Sequence, residues 1–303
     1  MFKRNPYLAV IGFTAVFGFS FVFSRAALGR LDPFHLLALR FLFAVVLINL
    51  LRLLRIIRIE RAGSIKPLLA IGLIQPILYF SLETLGIHHT SAAISGLMVA
   101  VIPIFTLIFA RVFLSEKPNR YQLAAMFVSI AGVALIGLNY GEAANVSMLG
   151  LMVLLGAAVA AAAATVMSRW LSRSYSPLTI TYAMMHMGLL AFLPMALASL
   201  AGSGSDNPLK AFLIPLLEPP ILGAVAYLGF GASVAGFFLL NYALAHLPSY
   251  KVGVFDTLTT LIAITAGVVF LGERLTPIQI VGGIGIVVGV WGAQYFSKMK
   301  VRT

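Results

Sequence analysis

Arg40, Glu83 and Asp256 carry ionisable groups inside long apolar stretches of the chain. In such surroundings an arginine can clamp a carboxylate, a glutamate can receive an ammonium group, and either acid can carry a proton. Gln75, Tyr79 and Glu83 recur at i, i+4 and i+8, which on a helix makes one polar face. Pro76 interrupts that helix and frees backbone carbonyls, and Pro103 stands in another apolar stretch as a second hinge. Asp256 forms a further polar face with Thr259 and Thr260. Tyr227 and Asn241 place a phenol and an amide on one stretch, and His186 is a proton carrier by residue type. The substrate-binding candidates are therefore Arg40, Gln75, Tyr79, Glu83, Tyr227, Asn241, Asp256 and Thr260. Glu83, Asp256 and His186 are the candidates for proton coupling.

Each has a structural alternative. Arg40 lies about 10 Å and Glu83 about 6 Å inside the ends of their stretches at 1.5 Å per residue, so a salt bridge between two helices fits equally. Lys251 or Arg169 can neutralise Asp256, and His186 can simply hydrogen-bond a neighbouring helix. Glu116 and Glu273, near helix ends, read as caps or ion pairs fixing turns. Arg25 and Arg169 lie close enough to span ends to snorkel.

The elements that must hold these groups are membrane helices. The chain has 303 residues, 61% hydrophobic and 10% charged, with mean hydropathy +1.02. A soluble domain carries about a quarter charged residues. Ten apolar segments are predicted at 6–28, 33–54, 67–87, 91–113, 120–138, 147–170, 177–200, 220–244, 250–271 and 277–296, near the ~20 residues a bilayer requires. The longest polar connection spans 201–219. This excludes a soluble enzyme, a nucleic-acid binder or a disordered chain. The net charge of +12 then belongs to loops beside anionic lipid, not to a nucleic-acid partner. With the N-terminus inside, sixteen basic residues fall on the cytoplasmic side and five on the other, so both termini are expected in the cytoplasm. There is no cysteine, HExxH zinc motif or phosphate-binding loop, so no catalytic residue, metal or cofactor is expected.

A duplication underlies the pattern. Val112-Phe113-Leu114-Ser115-Glu116 matches Val269-Phe270-Leu271-Gly272-Glu273 at an offset of 157, and Gln122, Gly132 and Gly96 meet Gln279, Gly289 and Gly253 in the same register. Ser24-Arg25 with Pro33 matches Ser168-Arg169 with Pro177 at an offset of 144. Two units, 1–140 and 141–303, each with five crossings, must be inverted relative to one another, the arrangement of secondary transporters with a midplane site between halves. Gly285-x-x-x-Gly289 permits close helix approach, either within the chain or in a homodimer through the last span.

These residues also carry a family resemblance. Phe17-Gly18-x-Ser20-Phe21-Val22, Leu39-Arg40-Phe41, Thr90-Ser91-Ala92 and the Phe-Leu-x-Glu segments resemble the EamA family of the drug/metabolite transporter superfamily. The resemblance implies ten helices from a duplicated five-helix unit and movement of small metabolites, notably amino acids, without ATP hydrolysis. Phe255-Asp256-Thr257 departs from the pattern by lacking the later proline that Pro103 keeps, so the span 250–271 is expected to be straighter than 91–113. Multidrug cation efflux and lipid flipping are the rival functions.

Overall fold

The computed structural model describes residues 6–60, 63–114, 120–138, 147–204, 207–247, 249–253 and 255–297. Among these the chain is helical, with no strand. In chain order the helices are α1 Pro6–Leu28, α2 Pro33–Leu53, α3 Lys66–His88, α4 Ala92–Val99, α5 Ile102–Leu114, α6 Arg120–Leu138 and α7 Met148–Leu171. They continue with α8 Pro177–Gly202, α9 Pro208–Leu213, α10 Pro219–His246, α11 Ser249–Gly253, α12 Asp256–Leu271 and α13 Pro277–Ser297.

Local chemistry sets many of the boundaries. The hydroxyls of Ser91, Ser147 and Ser176 accept from the N–H groups of Ile94, Gly150 and Thr179, capping α4, α7 and α8. Prolines with no N–H to lose open α2, α8, α9 and α10. Gly272, at φ 65°, ends α12 in the left-handed conformation that glycine tolerates best.

Seven helical stretches among the described residues are long and apolar enough to cross a membrane: α1, α2, α3, the stretch Ala92–Phe109, α7, α8 and α10. The apolar helical segments Phe127–Ile136, Leu258–Leu271 and Pro277–Gly292 are shorter. They fall within the predicted segments 120–138, 250–271 and 277–296. Phe127, Leu190 and Trp291 are more than half exposed on the bundle's outside, as lipid-facing side chains would be.

Two expectations change. The connection 201–219 is not simply a polar loop, because Asn207 caps α9 by accepting from Lys210 N–H and Phe212 is buried. The His35 ring stacks on Phe212 and bonds its backbone carbonyl at 2.9 Å, which pins α9 to the start of α2. Nor is the segment 250–271 straight. It divides into α11 and α12 much as 91–113 divides into α4 and α5. No proline is needed: Phe255 lies in a turn before α12 and its N–H bonds back only three residues, to Val252.

α3 and α10 each contain a π-helical stretch, Leu73–Tyr79 and Tyr227–Gly236. Pro76, with no N–H to donate, lies inside the first. An offset of 157 carries Leu73–Tyr79 onto 230–236, within the second.

The core joins these helices through aromatic rings. Phe41 of α2 lies 5.5 Å from Phe80 of α3 and 5.6 Å from Phe192 of α8, while Phe80 lies 5.6 Å from Phe237 of α10. At the edge of the bundle α13 packs against α6 through glycine. A Cβ at Gly289 would stand 2.5 Å from Ser129 N, and one at Gly132 only 2.4 Å from the Gly282 carbonyl. The glycine face considered for a dimer is thus filled by α6 of the same chain. Gly289→Val is expected to cost about 1–3 kcal/mol through overpacking, read as a lowered Tm with unchanged oligomeric mass. A Tm equal to wild type would contradict this packing.

Candidate functional site

A cavity partly open to the exterior, with about 760 Å³ of empty space counting the open solvent at its mouth, lies between α1, α2, α3, α4, α5, α7, α10, α11 and α12. Its polar wall comes from α2 and α3, with Arg40, Gln75, Tyr79 and Glu83 all contributing. Arg40, Gln75 and Glu83 are each less than a tenth exposed. Spacing along α3 puts the last three on one face, as the sequence implies. The apolar wall is largely aromatic, with Phe13 and Phe17 from α1 and Phe237 and Leu240 from α10.

Arg40 is held from two directions. Its Nε–H donates to Ser233 Oγ at 2.8 Å, and its guanidinium carbon lies 4.1 Å from the centre of the Phe80 ring. Glu83 accepts from the Tyr79 hydroxyl. Arg40 and Glu83 are not paired directly, since among the described residues the one ion pair within 4.0 Å is Arg30–Glu218. The expected alternative, a salt bridge locking α2 to α3, is therefore absent. Ser233 and Phe80 take its place on the arginine, and Tyr79 takes it on the glutamate.

Other candidates lie elsewhere. Tyr227 donates to the Val16 carbonyl at 2.9 Å and stacks on Phe23. Asn241 accepts from Ser168 at 2.6 Å and donates to Thr181 at 2.9 Å, joining α10 to α7 and α8. His186 meets the Tyr182 carbonyl at 2.9 Å and the Asn49 amide at 3.0 Å, in a cluster between α2 and α8. Thr260 donates to the Gly96 carbonyl at 3.0 Å. Its neighbour Thr259 lines the cavity instead, with a buried hydroxyl that finds no hydrogen-bond partner. Asp256 opens α12, but its side chain lies outside the described ones, as do Glu116 and Lys251. Pro76 lies in the π turn beside Gln75, and Pro103 sits in the first turn of α5, just after the break from α4.

Sequence reasoning did not single out Ser233, Phe80 or the cavity's Thr106 and Thr165. Ser233 was signalled by the run of small residues Gly229, Gly231, Ala232 and Ser233 in an otherwise bulky span.

The ends of the bundle are tied by charges on backbone. Arg25 donates to the Ile87 and His88 carbonyls at 3.0 Å each, at the C-terminus of α3. Arg169 donates to the Leu244 and Ala245 carbonyls at 2.5 and 3.0 Å, at the C-terminus of α10. The acceptors 87, 88 and 244, 245 are again separated by 157. Glu273 accepts from Ala92 N at 2.7 Å and Ala93 N at 2.8 Å, so its carboxylate caps α4. Ser147, before α7, bonds the His89 carbonyl, and Arg169 stands at the far end of α7, so the two grips are roughly 33 Å apart along it. The cavity lining includes Ser249, Val252 and Gly253 at the Arg169 end. No described residue from 84 to 95, at the Glu273 end, lines it.

An all-helical membrane bundle with a buried, charge-bearing cavity defines a class of membrane protein. The comparisons make it specific. The model of the EamA-like transporter family matches twice, over residues 4–138 and 148–294. The chain belongs to that family and is an integral membrane transporter. It is 30% identical to the "Uncharacterized transporter YcxC" of Bacillus subtilis over 99% of this chain and 96% of that one. It is 22% identical to a "Probable amino-acid metabolite efflux pump" of Escherichia coli over 99% of both chains. With a "Probable terminal-alkyne amino-acid exporter" of Streptantibioticus cattleyicolor it shares 28% identity over 76% of this chain and 73% of that one. A solved crystal structure, 20% identical, superposes with TM-score 0.67 over 97% of this chain and 98% of that one, which shows the fold.

Because the protein is free of cysteine, a single introduced thiol reports access. Ser95→Cys, buried behind the Glu273 cap, is expected to react about tenfold faster with an impermeant maleimide when Glu273→Gln removes a charge-assisted bond worth about 1.5–3 kcal/mol. Equal rates would mean that Glu273 does not hold this end shut.

Proposed function

We propose that this chain is a secondary transporter that exports a small amphipathic metabolite, an amino acid or a derivative, across the cytoplasmic membrane by alternating access. The observation that carries the reading is Arg40: a buried guanidinium, held through Nε, beside a cavity that it shares with Glu83. A charge at membrane depth costs about 2.5–3.5 kcal/mol on insertion scales, so each such group has a partner or a task. A zwitterion offers both charges at once, its carboxylate to Arg40 and its ammonium to Glu83. The aromatic wall accepts its apolar part. A lone lipophilic cation would meet Arg40 in the same cavity and be repelled, which disfavours multidrug efflux. The printed names of the Escherichia coli and Streptantibioticus relatives point the same way.

In this reading ten spans form two inverted halves, 1–140 and 141–303, with both termini in the cytoplasm. The paired family matches, the equivalent grips of Arg25 and Arg169 and the equivalent π turns support it. Pro76 and the break before Pro103 are the hinges about which the wall containing Glu83 moves. Glu83, lining the cavity and bonded by Tyr79, is the favoured proton carrier.

Arg40→Gln or Glu83→Gln should lower amino-acid transport into reconstituted vesicles by at least about tenfold, a loss of ~1.4 kcal/mol of binding or more, with Tm little changed. Transport at the wild-type rate in both variants would reject the site. Reporters fused after Asn139 and after Lys298 should report opposite compartments; a shared compartment would reject the inversion.

A further inference from the structure

The register of the duplication exposes an asymmetry in the cavity. An offset of 144 carries Arg40 onto Met184, and an offset of 157 carries Gln75, Tyr79 and Glu83 onto Ala232, Gly236 and Leu240. Every polar group of the α2–α3 wall thus has an apolar or glycine counterpart. One polar atom crosses from the second unit to touch the first unit's charge: Ser233 Oγ, wholly buried, at 2.8 Å from Arg40 Nε. Its own counterpart at the 157 offset is Pro76.

The backbone is shaped to make that contact. Ser233 lies in the π-helical stretch of α10, and Gly229, one turn earlier, lies against α2. A Cβ at Gly229 would stand 2.9 Å from the Arg40 carbonyl and 2.5 Å from Phe43 Cβ, so only glycine lets α10 come this close. With Nε taken by Ser233 and one face covered by Phe80, the guanidinium presents its Nη edge. Neither Nη is bonded to a described residue, and Arg40 lines the cavity.

We propose that Ser233 is a positioning residue that sets the specificity of the site, aiming the Nη edge of Arg40 at a substrate carboxylate taken end-on. It works through Arg40 and does not itself touch the substrate. The inference rests on the assignment of Arg40 as the anion-binding group. It also assigns the halves unequal tasks: the charged end of the substrate belongs to α2 and α3, its apolar end to the rings of α1 and α10.

The test uses three probes that share one apolar group: L-leucine, 4-methylpentanoate and 3-methylbutylamine. Their binding is measured on the full-length protein in lipid nanodiscs for wild type, Ser233→Ala and Ser233→Thr. The wild type should bind L-leucine and 4-methylpentanoate more tightly than the amine. Ser233→Ala should weaken both carboxylates by about tenfold, the equivalent of ~1.4 kcal/mol, and leave the amine within about twofold. Ser233→Thr, which keeps the hydroxyl, should restore the carboxylates. If Ser233→Ala weakens all three probes alike or none, or if Ser233→Thr is as poor as alanine at wild-type Tm, the positioning role is overturned while the Arg40 site stands. If the wild type binds no probe, or prefers the amine, the carboxylate site itself falls and Ser233 falls with it.

Discussion

A guanidinium kept in a low-dielectric interior is the constraint on which this structure turns. Arg40 cannot discharge its cost through water, so the protein surrounds it with a hydroxyl, an aromatic face and a distant carboxyl. None of these satisfies it fully. A direct ion pair with Glu83 would have neutralised the cavity and left little for a ligand to gain; separating the charges leaves a field across it. The Tyr79 hydroxyl holds the glutamate on its own helix and maintains that separation.

The scaffold meets the constraint by close packing, since water expulsion drives little association between helices in lipid. Glycine does much of this. Gly229 brings α10 onto α2, Gly188 makes room for the Phe41 ring, and Gly18 brings α1 close to Thr259 and Ile262 of α12. The bundle's ends are closed differently, by side-chain charges on helix termini. Arg25 and Arg169 each sit on the negative end of a helix, and Glu273 on a positive one. Such contacts neutralise partial charges that would otherwise need solvent, and they can be broken without unpacking a core.

The helical segments were legible because hydropathy and end signals agree: proline openings, serine caps and basic flanks mark nearly every boundary. The α3 face was legible too, because Gln75, Tyr79 and Glu83 repeat at helical spacing and the structure keeps them together. Legibility failed where a partner came from far along the chain. Tyr227 and Asn241 have the residue types of a binding site, but Val16, Ser168 and Thr181 already satisfy them. No local pattern announces such partners. Of the two threonines on the polar face of α12, Thr259 lines the cavity while Thr260 bonds the Gly96 carbonyl of α4, a partner that spacing along one helix does not reveal. His35 looked unremarkable and yet fastens α9, a helix hidden in a segment that composition alone describes as a loop.

The π-helical turns carry a consequence for how this chain tolerates change. A π turn closes its hydrogen bonds over one residue more than an α turn, so each is a stored insertion within a membrane span. Removing one residue from 227–236 would let the winding relax towards plain α-helix and keep the flanking stretches continuous, at the expense of changing how the two flanks are set against each other. The span would survive, but the face that Gly229 and Ser233 share would no longer be held in its present register against α2. Length polymorphism in this segment therefore separates two properties that membrane helices usually lose together, the ability to insert and the ability to recognise.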